Sequence, residues 1–214
     1  MADVTASRPG AEDAGGGRLV APSASRNAAA VAAALSEILG EEADGSVLEI
    51  GAGTGQHAVA CAAALPRLTW IPSDPDPLHL GSIAAWAEEA ALPNLAPPLA
   101  LDAAGDWAET PTPLRAVYSA NVIHIAPWTV TEGLVRGAAA RLAPGGRLLF
   151  YGPFYEDGEA GEGNRAFDAS LRGRNPDWGV RDVRDLSALA AGHGFDPAER
   201  VQMPANNLIL VFRR

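Results

Sequence analysis

A glycine-rich turn directly behind a short apolar run constrains the fold of this chain more than any other feature. The stretch VLEIGAGTGQH covers residues 47–57 and contains Gly51, Gly53 and Gly55. Strand patterns and helical patterns alternate along the rest of the chain, which is typical of a parallel sheet with helices on both faces. We therefore predict an α/β, Rossmann-like fold, in which ligands bind at the carboxyl ends of the strands and the first turn contacts the ligand.

Turn and periodicity signals predict the order of the elements. Strands are expected over 45–51, 67–74, 96–102, 114–125, 147–152, 198–204 and 206–214, and helices over 23–40, 54–66, 76–92, 128–143 and 182–194. Residues 18–214 are predicted to form a single domain behind a disordered tail at 1–17, which is rich in alanine, glycine and acids. Connections in α/β units usually take about 2–6 residues, so the long connection over 152–181 is predicted to be a substrate lid.

Composition disfavours several classes of partner. The 214 residues carry a net charge of −10 without a basic cluster, which argues against a nucleic-acid partner. No run approaches the about 18 apolar residues of a membrane span, and the N-terminus lacks a signal-peptide core. Cys61 is the single cysteine, so we expect a reducing cytoplasm. The four histidines and the cysteine are dispersed, and no metal site is predicted.

An acid in front of the glycines decides which ligand is expected. A carboxylate at Glu49 would repel a pyrophosphate, and Gln56 stands where a dinucleotide fingerprint carries its third glycine or alanine. The turn therefore favours a ligand with cationic groups and no phosphate at this point. S-adenosylmethionine, with a sulfonium and an ammonium group, is such a ligand, and S-adenosylhomocysteine is its demethylated product.

Acids at the ends of the next two strands extend the predicted cofactor site. Asp74 is expected to accept hydrogen bonds from the ribose hydroxyls, with Asp76 as the alternative. Asp102, next to Ala103, is expected to accept from the adenine amino group, and Trp107 offers a stacking surface.

Three further residues are candidates for the methionine end of the cofactor. Arg26 and Asn27 belong to a segment that leads into the first helix, and they either contact the cofactor's carboxylate or serve as a helix cap and a surface charge. Asn121, after the fourth strand, either lines the methionine end or caps a turn.

Longer stretches of the sequence are distinctive enough to suggest a family. SANVIHIAPW, LLFYGPF, GNRAFDASLRGRNPDWGVRD and MPANNLILVFRR, together with the opening RLVAPSASRN, resemble methyltransferase-like protein 26 and its bacterial relatives, a family long catalogued as a domain of unknown function. The resemblance covers residues 18–214 and places the chain among the class I S-adenosylmethionine-dependent methyltransferases. It implies a mostly parallel seven-stranded sheet with an antiparallel C-terminal strand and S-adenosylmethionine as cofactor, but no substrate.

Methyl transfer requires alignment of the acceptor and, where necessary, removal of its proton. His124 at the end of the fourth strand is the predicted base because imidazole titrates near neutrality; the alternative is a histidine bonded to a backbone carbonyl. Tyr151 at the end of the fifth strand either hydrogen-bonds the acceptor or belongs to the core. Asn164, Asp168 and Arg172 recur at helical spacing, and their shared face points either at the substrate or at solvent.

The remaining candidates have less specific positions. Arg181 is a possible acceptor contact, and Trp128 and Phe154 either wall the acceptor pocket or belong to the core. His57 is expected to serve helix packing or a cap, whereas His79 and His193 are predicted at the surface.

Three functions are compatible with these residues. The favoured one is a methyltransferase for a small molecule, with an oxygen, nitrogen or sulfur acceptor. A protein side-chain methyltransferase and a non-catalytic S-adenosylmethionine-binding module are the alternatives. The predicted lid and the lack of a basic surface favour the first, and the sequence predicts no oligomeric state.

Overall fold

The structure, a computed structural model, describes residues 11–40 and 43–214. Its elements, in chain order, are β1 (Glu12–Asp13), β2 (Leu19–Val20), α1 (Pro22–Leu39), β3 (Gly45–Ile50), α2 (Gln56–Ala64), β4 (Leu68–Asp74), α3 (Pro77–Ala90), β5 (Leu99–Ala100), β6 (Leu114–Ala120), α4 (Trp128–Arg141), β7 (Leu142–Tyr155), α5 (Glu162–Arg174), β8 (Arg181–Asp182), α6 (Val183–Ala191), β9 (Glu199–Met203) and β10 (Asn207–Arg213). Short 3₁₀ turns occupy Val122–His124 and Pro204–Asn206.

The central sheet has the order β5-β4-β3-β6-β7-β10-β9, and β8 pairs with β7 beside this path. The five strands from β5 to β7 are parallel to one another. The last strand, β10, is antiparallel to both of its neighbours, β7 and β9. The predicted class I methyltransferase fold is therefore confirmed, including seven strands on the main path and the antiparallel C-terminal strand.

Two predicted strands are five residues shorter in the structure. The third is reduced to Leu99–Ala100, because Pro97 and Pro98 have no backbone N–H to donate to a neighbouring strand. The fourth ends at Ala120, because Asn121 adopts a left-handed backbone with φ of 59° and the chain then enters a 3₁₀ turn. Residues at the carboxyl edge of this strand are thereby turned inward.

Helices cover both faces of the sheet, and successive residues of each strand serve different faces. In β3, Val47 packs with residues of α1 and α2, whereas its neighbour Leu48 packs with residues of α4 and α6. This alternation follows from the period of two along a strand. The carboxyl edge of the sheet lies between these layers, and the loops there form the candidate site.

The segment before α1 is tied to the helices that follow the first two parallel strands. The N–H of Leu19 donates to Oγ of Ser82 at 2.8 Å, and that of Ala21 donates to Oε1 of Gln56 at 2.7 Å. Residues 1–10 of the predicted disordered tail lie outside the described residues, whereas Glu12–Asp13 pair with Leu19–Val20. The strand pair therefore includes residues that the sequence analysis assigned to the tail.

Candidate active site

The turn after β3 can form only because its glycines accept left-handed backbone angles. Gly51, Gly53 and Gly55 have φ of 67°, 60° and 93°. A Cβ on Gly51 would also collide with Cγ2 of Val122, which lies in the turn after β6. The glycines therefore let two loops at the sheet edge approach each other closely.

Asp74 at the end of β4 holds this turn in place. It is fully buried, and one carboxylate oxygen accepts from the N–H of Gly53 at 3.0 Å. The other accepts from the N–H of Asp76 at 3.0 Å and lies 3.1 Å from Nδ1 of His79. These hydrogen bonds hold the pKa of Asp74 below its usual range, although burial acts in the opposite direction.

Asp74 thus has a structural role that the sequence analysis did not predict. Its side chain does not line the cavity described below, and the alternative, Asp76, caps α3 by accepting from the N–H of Leu78. The prediction that His79 lies at the surface is wrong, because its ring is buried against Asp74.

Glu49 is a buried carboxyl group beside the turn. Its side chain is 1% exposed and accepts a hydrogen bond from Nε1 of Trp70 at 2.7 Å. Burial raises the pKa of Glu49 to about 7, and the nearby charge of Asp74 acts in the same direction. No cationic side chain pairs with Glu49 among the residues that the structure describes. A cationic ligand bound beside Glu49 would favour the ionised form of this carboxyl group and would itself be attracted by it.

A cavity of about 960 Å³ opens at this edge of the sheet. That volume is at the upper end of the about 300–1,000 Å³ typical of small-molecule sites, so it can hold two small molecules side by side. From the predicted cofactor set, the cavity is lined by Arg26, Asn27, Glu49, Gly51, Gly53 and Asn121. From the predicted lid, it is lined by Pro153, Gly163, Asn164, Phe167, Arg174 and Trp178.

A chain of polar side chains crosses one wall of the cavity. Nε2 of His57 lies 2.7 Å from Oδ1 of Asn27, whose Nδ2 donates to the hydroxyl of Tyr151 at 3.1 Å. Nδ2 of Asn207 also donates to this hydroxyl, at 3.2 Å. The two amides occupy the acceptor capacity of the Tyr151 oxygen, so its own hydrogen is available to a bound molecule.

Burial sets the protonation of this chain. It raises the pKa of the Tyr151 hydroxyl above its usual value, so the phenol keeps its proton at neutral pH. It lowers the pKa of His57 to about 4, so the imidazole is neutral. His57 was predicted only to serve helix packing or a cap, whereas in the structure it also lines the cavity.

His124, the predicted base, does not reach the cavity. Its side chain is fully buried, its ring packs edge-on against Phe154 with centroids 5.1 Å apart, and Nε2 has no hydrogen-bond partner among the described residues. Burial and the nearby Arg181 lower its pKa to about 3. The short turn after Asn121 directs this ring into the core, so the position does not support a role as general base.

The predicted charged face of α5 is divided between two places. Asn164 lines the large cavity and donates to the carbonyl of Asn206 at 3.0 Å. Asp168 instead lines a separate cleft of about 590 Å³, where it accepts from Nε of Arg172 and from the N–H of Val180. Asp168 is therefore held by its own segment, away from the predicted acceptor.

Arg181 joins the lid to the sheet rather than contacting the large cavity. Its guanidinium donates to the carbonyls of Ile123, Ala126 and Asp177, and it lies over the ring of Trp128 at 5.6 Å. Neither Arg181 nor Trp128 lines the large cavity.

The predicted adenine contacts are not brought to the cavity. Ala103 and Trp107 are buried in the core, and Nε1 of Trp107 donates to the carbonyl of Ala103. The indole packs against Gly137 of α4, where a Cβ would overlap the ring. Asp102 is exposed and accepts from the N–H of Ala104. Gly55, another predicted cofactor residue, does not line the cavity either; it directly precedes α2.

Several cavity residues were not predicted as site residues. Phe167, Arg174 and Trp178 come from the lid, and Asn206 and Asn207 come from the turn before β10. The distinctive stretches GNRAFDASLRGRNPDWGVRD and MPANNLILVFRR contain all five. That signal marks the segments but does not show which side chains turn inward.

Two other classes of site have no candidate among residues 11–40 and 43–214. No group of three or more histidine, cysteine, aspartate or glutamate side chains in these ranges is placed to hold a metal ion. No helix in the described parts of the chain has the length and apolar character that a membrane crossing requires.

Solved methyltransferase structures share this fold. A putative O-methyltransferase from Nostoc punctiforme matches with a TM-score of 0.76 at 18% identity, over 89% of this chain and 57% of the other. An O-methyltransferase family 2 protein from Planctomyces limnophilus, solved with apigenin, matches with a TM-score of 0.75 at 20% identity, over 90% of this chain and 60% of the other. Human N-acetylserotonin methyltransferase, solved with S-adenosylmethionine, matches with a TM-score of 0.69 at 15% identity, over 90% of this chain and 52% of the other.

These matches show a shared fold, and the chain spans only 52% to 60% of the length of these three proteins. A family model gives the closer relation, since it matches residues 18–214 and so covers the glycine turn, the lid and the last strand together. The chain belongs to the family described as "Protein of unknown function (DUF938)".

Proposed function

We propose that this protein is an S-adenosylmethionine-dependent methyltransferase that acts on a small molecule. The observation that carries the proposal is a buried carboxyl group, Glu49, without a cationic partner among the described residues, on the wall of a cavity of about 960 Å³ in a class I methyltransferase fold. A pyrophosphate would be repelled at this position, whereas a sulfonium or ammonium group would be attracted.

The residues around Glu49 fit the methionine end of the cofactor. The backbone of Gly51 and Gly53 permits close approach, and Asn121 lies on the same cavity. Arg26, which has no ion pair among the described residues, is the proposed partner of the cofactor's carboxylate. The bound cofactor would supply an activated methyl group.

Tyr151 is the proposed contact for the acceptor. Its oxygen accepts two amide N–H groups, so its hydroxyl hydrogen is directed to a molecule in the cavity. Nε2 of the neutral His57 donates to Oδ1 of Asn27, so His57 orients this polar chain and does not take the place predicted for His124 as the base. A pKa of about 4 makes His57 a weak base, so alignment of the acceptor would contribute more than proton removal.

The structural neighbours support a small acceptor. Several are described as O-methyltransferases, and one was solved with apigenin, a planar small molecule. An oxygen acceptor is therefore the first to test, before nitrogen and sulfur. The residues of 152–181 that line the cavity support the predicted lid, because they would enclose a small molecule.

The family resemblance and the cell compartment complete the proposal. The distinctive stretches quoted above support a relation to methyltransferase-like protein 26. A cytoplasmic location fits the single cysteine, Cys61, which is buried and unpaired.

Binding calorimetry tests the cofactor. S-adenosylhomocysteine should bind and NAD should not, and Gly51→Ala should abolish binding because a Cβ there collides with Val122. Gly81→Ala is the matched control, since nothing lies within 4 Å of a Cβ at that exposed position. Binding of NAD in place of S-adenosylhomocysteine would exclude the proposed cofactor.

A labelled-methyl assay tests the activity. The protein is incubated with metabolite extract and S-adenosylmethionine that carries an isotopic label in its methyl group, and labelled products are identified by mass spectrometry. A small labelled product that requires the native protein is expected. Label recovered only on protein would favour the side-chain alternative, and tight cofactor binding without any labelled product would favour the non-catalytic one.

A further inference from the structure

The lid brings an unpaired cation to the cavity. Arg174, at the end of α5, lines the cavity, and its guanidinium lies 5.5 Å from the ring centre of Trp178, which lines it too. No carboxylate pairs with Arg174 among the described residues. The other two arginines of this helix do have acidic partners, since Arg165 pairs with Glu159 and Arg172 with Asp168.

An unpaired arginine is unexpected in a protein with a net charge of −10. Acidic side chains are abundant, yet none of those described forms an ion pair with this guanidinium, which lies over an aromatic ring instead. Stacking on a ring pre-orients the planar guanidinium and leaves its N–H groups free to bind a carboxylate in a two-point geometry.

The charges on the cavity wall favour an anion. Glu49 is the one carboxyl group among the residues that line it, whereas two guanidinium groups, Arg26 and Arg174, do so. The proposed cofactor would use Glu49 and Arg26, and Arg174 would then remain for the second molecule. A single guanidinium matches the single charge of a carboxylate.

An exposed aromatic side chain lies on the same wall. Phe167 is 39% exposed, and among the described residues Leu78, which is outside the cavity, is the one other large apolar side chain with such exposure. Phe167 and Trp178 together offer apolar ring surface to a ligand. Such surface favours contact with a planar apolar body.

We propose that the methyl acceptor is a small carboxylate with a planar apolar body, whose carboxylate binds Arg174 and whose body packs against Phe167 and Trp178. The proposal rests on the proposed function, because it assigns the part of the cavity that the cofactor leaves free. Arg174 is then the residue that selects a charged acceptor over its neutral analogue.

Matched probes test this selection in the presence of saturating S-adenosylhomocysteine. 4-Hydroxybenzoate and 4-hydroxybenzamide have the same ring and hydroxyl and differ in charge, and phenyl phosphate tests the other common anion. Affinities are measured by ligand-observed NMR on the full chain. We expect 4-hydroxybenzoate to bind about tenfold more tightly than 4-hydroxybenzamide, a difference of about 1.4 kcal/mol, and more tightly than phenyl phosphate.

Variants assign the effect to the lid. Arg174→Gln should remove the difference between the acid and the amide, whereas Arg165→Gln, on the same helix but outside the cavity, should preserve it. Phe167→Ala should weaken both probes equally. Calorimetry with S-adenosylhomocysteine on each variant is the control: an affinity equal to that of the wild type means that the fold and the cofactor site are intact.

The outcomes separate the two proposals. If S-adenosylhomocysteine binds and the wild-type protein does not prefer the acid, or prefers phenyl phosphate, the carboxylate proposal is wrong while the proposed function stands. A preference that survives Arg174→Gln would also overturn it, because another cation would then carry the selection. If S-adenosylhomocysteine itself does not bind, the proposed function fails and the acceptor proposal fails with it.

Discussion

Replacement of Glu49 by glutamine tests the central electrostatic feature of the site. Glutamine keeps an oxygen that accepts the hydrogen bond from Nε1 of Trp70 and removes only the titratable charge. The wild-type carboxyl group is buried, and its pKa is raised from 4.5 to about 7. The substitution therefore changes how the free energy of unfolding depends on pH.

The sign follows from proton binding in the two states. Between pH 4.5 and pH 7 the folded protein holds a proton on Glu49 that the unfolded chain releases, so the contribution of Glu49 to the free energy of unfolding falls as pH rises. A shift of about 2.5 pKa units at about 1.36 kcal/mol each gives a loss of about 3 kcal/mol between pH 4 and pH 8. Glu49→Gln should be free of this loss.

Urea unfolding of both proteins across pH 4–8 measures this contribution as a difference. The difference is essential because His57 and His124, whose pKa values are lowered, contribute the opposite trend below pH 6.5 in both proteins. Glu49→Gln should gain about 3 kcal/mol relative to wild type from pH 4 to pH 8. Glu37→Gln, at an exposed site on α1, is the matched control.

The same variant links stability to binding. If the proposed cofactor is correct, Glu49→Gln should bind S-adenosylmethionine more weakly than wild type at pH 8 while being relatively more stable there. A difference in unfolding free energy that does not change with pH would refute the reasoning, because it would mean that Glu49 is not protonated in the folded protein near neutrality.

Three further predictions concern the buried polar groups. Asp74→Asn should lower the free energy of unfolding, measured in urea, by about 1–3 kcal/mol, because the N–H of Gly53 loses its charged acceptor. An unchanged unfolding midpoint would mean that Asp74 does not stabilise the turn. His124→Leu should lose roughly 3 kcal/mol less stability than wild type between pH 7 and pH 4, since the neutral buried ring resists protonation; equal acid sensitivity in an acid titration would contradict this. Tyr151→Phe should cost about 1–3 kcal/mol in thermal unfolding, because the amide of Asn207 loses an acceptor; unchanged stability would mean that water replaces the hydroxyl.

The elements of the fold were predictable because they depend on local patterns. The glycine turn, the alternation of strands and helices and the breaks at proline all act over a few residues. The structure contains the predicted strands and helices in their predicted order along the chain, and adds β1, β2 and β8 and the helix α5 within the lid. The position of Glu49 beside the cavity was also predictable, since a residue near the end of a parallel strand reaches the ligand edge.

The predictions for Trp107 and His124 differ from the structure because both depend on distant residues. Trp107 lies in the core because Gly137, thirty positions later, has no side chain and leaves space for the indole. His124 is turned inward because the strand ends early, at a left-handed Asn121. No spacing within the predicted strand indicates either event.

The roles of Asp74 and His79 show a similar dependence. An acid after the second parallel strand predicted a ribose contact, but the carboxylate accepts from one N–H group of the glycine turn after β3 and from one of its own turn. His79 was predicted at the surface, and its burial becomes evident only once Asp74 is placed beside it.

The place of β10 in the sheet has a consequence for the newly made chain. β10 lies between β7 and β9, yet it follows both of them in the sequence. A nascent chain that has completed β9 but not β10 therefore exposes the free edge of β7, with the apolar residues Leu148 to Tyr151 and unpaired backbone groups along it. Such an edge is a template for pairing with another chain, so aggregation during synthesis is the failure that a defect in β10 would cause first.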